Sequence, residues 1–196
     1  MHASLFSRIL NVRSAALPSS EQAILTTYID MLACHCDDSR GNATTLGEYL
    51  VFREVDVGMP ICRELLYWTE ELAMTPSETS LLAPLERVAN YHVSILNDVF
   101  SFDREWKAAQ TLGQGAVLVN GVRILADEAA VSVGAAKRLC FSLVRAWEEE
   151  FQTMAEGVVD SAGDEDARER LQRAVRGIER RMTGAEAFSW RTSRYL

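Results

Sequence analysis

The sequence predicts an all-α fold, and three observations carry that expectation. Almost every long segment of the 196 residues places its apolar side chains at the i, i+3, i+4 spacing of a helix. No segment alternates apolar and polar residues as a half-buried strand would. The segments are separated by helix caps, a glycine–proline break and short polar turns.

Pro18-Ser19-Ser20-Glu21-Gln22 opens the first helix, with Ser19 as N-cap and Gln22 at the N3 position of a capping box. Its apolar stripe is Ile24, Leu25, Tyr28, Met31 and Leu32. Cys36 to Thr44 is polar and reads as a loop. Thr45 to Val57 is a short helix stopped by Gly58-Met59-Pro60, and Ile61 to Met74 restarts it. Thr75-Pro76-Ser77-Glu78 supplies an N-cap, a proline at the first helical position and an acid at N3. The helix that follows runs to about Gln110, with a kink expected at Pro84. Gly113-Gln114-Gly115 is a turn; Ala116 to Glu128 and Ser132 to Val159 are helices. After the loop Asp160 to Asp164, a charged amphipathic helix covers Glu165 to Met182, and a last one covers Ala185 to Tyr195. With no repeat or linker, residues 1–196 read as one helical unit.

Composition narrows the function classes. Hydrophobic residues make up 48% and charged ones 24%, with only 4 Pro and 11 Gly, which excludes a disordered tail or a low-complexity protein. Twenty Lys and Arg against 28 Asp and Glu give a net charge of −8, the wrong sign for nucleic-acid binding. The most apolar stretch, Gly115 to Ala136, is interrupted by Arg123, Asp127 and Glu128, so no membrane span is expected. No basic leader precedes an apolar run, and the expected location is the cytoplasm. Cys34-His35-Cys36 has a metal-like look, but no second Cys/His pair follows at a zinc spacing, so a structural role is expected. His92 is read as packing or helix surface.

The chemistry lies in Asn97-Asp98-Val99-Phe100-Ser101-Phe102-Asp103-Arg104-Glu105. Asn97, Ser101 and Glu105 are spaced i, i+4, i+8, which puts an amide oxygen, a hydroxyl and a carboxylate on one helix face. Hard oxygen donors of this kind suit Mg²⁺, and so little protein charge leaves room for water or phosphate oxygens. Arg104, beside Glu105, could reach an anion bridged by that metal. Taken alone, such a triad is more often a solvated or buried polar stripe than a metal site. Two further features stand at matching places: Arg53, ahead of the Gly-Pro break, and the ending Gly184-Ala185-Glu186-Ala187-Phe188-Ser189-Trp190-Arg191-Thr192-Ser193-Arg194-Tyr195.

Together these features resemble class I terpene synthases, in particular the fungal and bacterial sesquiterpene cyclases. The resemblance runs from about Thr45 to the C-terminus. It implies an isoprenoid-synthase helical bundle that ionises an allylic prenyl diphosphate, farnesyl diphosphate in the first instance, with Mg²⁺. It implies Asn97, Ser101 and Glu105 as metal ligands and Arg104 as a diphosphate contact. Arg53 matches the family's diphosphate sensor and Asp56 its linker, and Val57 or Gly58 would supply the effector carbonyl. Arg194 and Tyr195 match the pair that closes over the diphosphate. Gly184, Glu186, Ser189 and Thr192 fit the ending GNExWSxxTxRY in register, whereas Ala185 and Phe188 depart from it. Gly115 to Val122 also resembles the stretch that follows the triad. Phe52, Phe100, Phe188 and Trp190 are candidate walls for a carbocation cavity, where aromatic faces stabilise positive charge.

The family's aspartate-rich DDxxD motif has no match. Asp37-Asp38 lacks an acid at the fifth position and precedes Arg53 too closely, and Glu165 to Glu169 sits where a helix start favours acids anyway. The chain is therefore expected to be a partial cyclase domain, the late half without its early helices. The apolar faces of Ile24, Tyr28 and Leu32 and of Leu139, Leu143 and Trp147 would stay exposed, or would be covered in a homodimer or by a completing partner chain. The alternative is a non-catalytic helical remnant that binds diphosphate or another protein. A polyprenyl chain-elongating enzyme fits less well, because it carries a second aspartate-rich motif where this chain has Asn97 to Glu105.

Overall fold

The computed structural model describes residues 19–36, 41–112 and 118–193. Among them are seven helices, one fewer than the sequence predicts, and no strand, in keeping with the expected all-α class. Helix α1 (Ser19–His35) lies across α2 (Leu46–Asp56) and α3 (Met59–Thr69). The 37-residue α4 (Pro76–Leu112) is about 55 Å long at the usual rise. It packs along α6 (Val133–Asp160) and α7 (Glu165–Arg191), with the short α5 (Gly121–Glu128) beside its far half.

The helix starts follow their local chemistry. Thr45 Oγ accepts from Glu48 N at 3.2 Å and Glu48 Oε2 accepts from Thr45 N at 3.2 Å, a complete capping box. Thr75 and Glu78 repeat it at the head of α4, with bonds of 3.2 and 2.7 Å. Ser132 and Asp164 cap α6 and α7. Gly58, at φ +82°, makes the left-handed corner between α2 and α3, and Pro60 follows inside the first turn. Helix α3 begins at Met59, two residues before the expected start. Pro84 lies on the exposed face of α4, and the helix runs on past it.

Three further boundaries move. Helix α3 stops at Thr69 rather than Met74, because Glu71 (φ 51°) turns left-handed and Leu72 N bonds back to Tyr67 O at 2.8 Å. This is a Schellman cap built without glycine. Helix α5 begins only at Gly121, where Asn120 caps it. The chain from Glu165 to Arg191 is one helix, with no break near Gly184. A glycine inside a helix costs about 1 kcal/mol, and burial of Met182 and Ser189 on either side offsets it. Gly113 to Val117 lie outside the described residues.

The core has two parts strung along α4. Around its first half, Leu82, Leu85, Ala89 and Val93 pack with Phe151 of α6 and Leu171 and Ile178 of α7. Around its second half, Ile95, Leu96, Val99 and Phe102 pack with Tyr49 and Leu50 of α2, Val122 of α5 and Cys140 and Val144 of α6. Trp147 touches both and is partly buried there. Tyr28, at 46%, and Leu139, at 44%, do stay exposed. None of the described helices is long and apolar enough to cross a membrane.

A candidate metal and diphosphate site on the long helix

Asn97, Ser101 and Glu105 lie on the second half of α4, where that helix crosses α2. Asn97 and Glu105 are partly exposed, and Ser101 between them is 1% exposed. Each donor is engaged within the protein. Asn97 Oδ1 accepts from Arg53 Nη2 at 3.0 Å, the Ser101 hydroxyl makes a long 3.5 Å bond to the Asp98 carbonyl, and Glu105 Oε2 accepts from Asn120 Nδ2 at 2.9 Å. Amide, hydroxyl and carboxylate oxygens are what a hard divalent cation takes, so the donor set fits Mg²⁺ chemistry. The other Glu105 oxygen lies 3.9 Å from the half-exposed Arg104.

Arg53 reaches this face from α2, as its position before the helix break suggests. Its guanidinium also donates to Asp98 Oδ1 at 2.9 Å and to Asp56 Oδ2. Burial works against its charge, but the Asp98 and Asp56 carboxylates outweigh that and hold it protonated beyond its ordinary range. Asp56 is fixed from the other side by His35, whose Nε2 is 2.9 Å from its carbonyl and 3.1 Å from its carboxylate. The histidine of the Cys34-His35-Cys36 run therefore serves the end of α2. The Gly58 carbonyl is taken by Cys62 N at 3.2 Å in the first turn of α3.

Sequence reasoning missed the hub beneath these groups. Asp98 has no exposed surface. Its Oδ2 accepts from the Tyr49 hydroxyl at 2.6 Å and from Gly121 N at 2.9 Å. Burial pushes its carboxyl up, opposed by Arg53, Tyr49 and Gly121, whose donors are arranged for a carboxylate. Desolvation and the neighbouring Asp98 charge likewise drive the Tyr49 phenol well above its usual value, so it stays a donor. Asn120 could have been found as an N-cap just ahead of an apolar run. The pairing of Tyr49 with Asp98, 49 residues apart, leaves no local signal.

Arg194, Tyr195 and Asp37-Asp38 lie outside the described residues. The candidate aromatic walls divide. Phe100 meets Trp190 edge-on at 4.7 Å and Phe141 at 6.0 Å, whereas Phe52 packs on Tyr49 at 6.4 Å. Phe188 is 54% exposed. A separate polar cluster joins α4, α6 and α7. The buried His92 bonds Glu148 at 2.9 Å, and Arg145 pairs with both Glu148 and Glu186. Ligand-type atoms of His92, Glu148 and Glu186 come within 4.8 Å of one another. Arg145 bridges the two carboxylates, so the cluster ties α6 to α7 as an ion-pair latch.

Known proteins resemble this chain over most of its length. Residues 2–150 match the family described as terpene synthase family 2, C-terminal metal binding. The (+)-aristolochene synthase TS1 of Penicillium expansum is 34% identical over 178 residues, which are 90% of this chain and 53% of that protein. Aristolochene synthase of Aspergillus terreus is 33% identical over 88% of this chain and 53% of its own length. The crystal structure of aristolochene synthase from Penicillium roqueforti superposes with a TM-score of 0.70 at 25% identity, over 96% of this chain and 60% of that one. The chain thus spans about half the length of the relatives it matches. The all-α fold and the family match over most of the residues agree, and the chain belongs to the terpene synthase family.

Proposed function

We propose that this chain forms the metal- and diphosphate-binding part of a class I terpene cyclase, a cytoplasmic enzyme that acts with Mg²⁺ on an allylic prenyl diphosphate, farnesyl diphosphate in the first instance. The names of the relatives support a sesquiterpene-type reaction. The observation that carries the reading is the contact of Arg53 with Asn97 and Asp98 across 44 and 45 residues. An anion-seeking cation meets the first oxygen donor of the row at one spot.

In this reading Asn97, Ser101 and Glu105 hold the ion, whose charge would stabilise the departing diphosphate. The chain's own residues do the rest. Arg53, kept charged by Asp98 and Asp56, can exchange its bond to Asn97 for one to a diphosphate oxygen, which frees Asn97 Oδ1 as a ligand. Arg104, half exposed beside Glu105, adds a second cation on the same side. Arg194 and Tyr195 would close over the anion, and Phe100 and Trp190 would offer ring faces to a carbocation.

The test is titration calorimetry of inorganic diphosphate with and without Mg²⁺, alongside diphosphate release from farnesyl diphosphate. Binding should require Mg²⁺ and weaken about tenfold or more in Asn97→Ala. Binding that ignores both the metal and the substitution would refute the proposal. Since the chain spans about half the length of its relatives, Mg²⁺-dependent binding without release would assign it the second role, a diphosphate-binding module or one half of a two-chain enzyme.

A further inference from the structure

We infer that Asn120 is a positioning residue for Glu105: it pins one carboxylate oxygen and so determines which oxygen is left to face the ion. The inference rests on the reading of Asn97, Ser101 and Glu105 as the ion's ligands.

Asn120 has no exposed surface and stands in extended backbone (φ −151°, ψ 132°) at the head of α5. Its Oδ1 accepts from Val122 N at 2.9 Å, the capping bond of that helix. This bond settles the amide's orientation, because a flipped side chain would set its NH₂ against a backbone N–H. Both Nδ2 hydrogens must then point toward α4. They meet the Asp98 carbonyl at 3.0 Å and Glu105 Oε2 at 2.9 Å. Every polar atom of the side chain is used, and its two donor bonds grip α4 at points that bracket Ser101.

The neighbouring residue makes the grip rigid. Gly121 N donates to Asp98 Oδ2 at 2.9 Å, and a Cβ on Gly121 would stand 2.6 Å from Ile95 Cδ1 and 3.0 Å from both Asp98 Oδ2 and a Tyr49 ring carbon. The start of α5 therefore docks on α4 as one piece. Glu105 Oε2 is held by Asn120, and Oε1 remains on the side of Arg104. A ligating carboxylate whose second oxygen is tied by a buried amide loses less rotamer freedom when the ion arrives, and outer partners of this kind commonly account for a 10–100-fold difference in metal affinity.

Capping and positioning can be separated. Asn120→Ser keeps a capping oxygen but cannot reach Glu105. Asn120→Asp keeps the cap but offers an acceptor to Glu105 and to the Asp98 carbonyl. Leu171→Val, in the other half of the core, lowers stability without touching the site and serves as the comparator. The probe is Mn²⁺ in the presence of inorganic diphosphate, read from the free-ion paramagnetic resonance signal, with thermal melts alongside. Both Asn120 variants should weaken Mn²⁺ binding about tenfold or more relative to wild type and to Leu171→Val, and Asn120→Ser decides if the aspartate variant does not fold. Glu105→Gln should weaken binding at least as much. If Glu105→Gln weakens binding and the Asn120 variants match the comparator, the positioning role is wrong while the ligand reading stands. If Glu105→Gln has no effect, the ligand reading fails and this inference with it.

Discussion

Gly121→Ala should destabilise this protein, although the same change is favourable at an ordinary helical glycine. Alanine is intrinsically better than glycine in a helix by up to about 1 kcal/mol. At Gly121 the new methyl would lie 2.6 Å from Ile95 Cδ1, which is the end of a flexible side chain and can give way. It would also lie 3.0 Å from Asp98 Oδ2 and Tyr49 Cε1. Those two cannot retreat without losing the 2.6 Å phenol–carboxylate bond and the bond to Gly121 N. Overpacking against fixed neighbours costs roughly 2–3 kcal/mol, so the net loss is about 1–2 kcal/mol. A methyl added at Gly157, near the end of α6, would meet nothing within 4 Å, and Gly157→Ala should gain about 0.5–1 kcal/mol. At about 2–4 °C per kcal/mol for a chain of this size, the two variants should melt roughly 3–12 °C apart. Thermal unfolding followed by far-ultraviolet circular dichroism measures this. If Gly121→Ala melts at or above the temperature of Gly157→Ala, the close packing of α5 on the Asp98 hub is wrong.

Two further outcomes are expected. Ala130 closes α5 at φ 52°, a left-handed conformation that costs an L-residue about 1–2 kcal/mol. Ala130→Gly should therefore raise stability by about 0.5–1 kcal/mol after its own chain-entropy cost, and a fall in the urea midpoint would refute the cap. Burial holds His92 below its ordinary value against the pull of Glu148. The unfolded chain then takes up that proton first, so this contribution is complete above about pH 6.5, declines as the pH falls through that value, and levels off below the depressed one. His92→Gln should flatten that part of the stability profile between about pH 7.5 and pH 5, and an unchanged slope in urea melts would exclude His92 as its source.

What was legible in the sequence was local. Thr45 with Glu48, and Thr75-Pro76 with Glu78, announce two helix starts, and Gly58 with Pro60 announces the corner between α2 and α3. The end of α3 was hidden because its left-handed residue is Glu71, not a glycine. The continuity of α7 was hidden because Gly184 looks like a stop, and only tertiary burial of Met182 and Ser189 carries the helix through. The row of Asn97, Ser101 and Glu105 follows from spacing alone. The resemblance marked Arg53 as a diphosphate sensor, and its contact with Asn97, 44 residues away, is visible only in the structure. The Asp98 hub and the grip of Asn120 depend on partners 15 to 49 residues away, beyond the reach of a cap or a helical repeat.

The long helix belongs to both halves of the core, and that has a consequence for how the protein breathes. Amide hydrogens on the stretch from Val88 to Phe102, wedged between α6 and the helices on either side, should be released to solvent only when the whole molecule opens. The oxygen donors of Asn97 and Ser101 thus ride on a stiff rail, while Arg53 sits on an eleven-residue helix ending at a glycine corner. Any adjustment to an arriving ligand falls to the lighter element, the one hinged at Gly58.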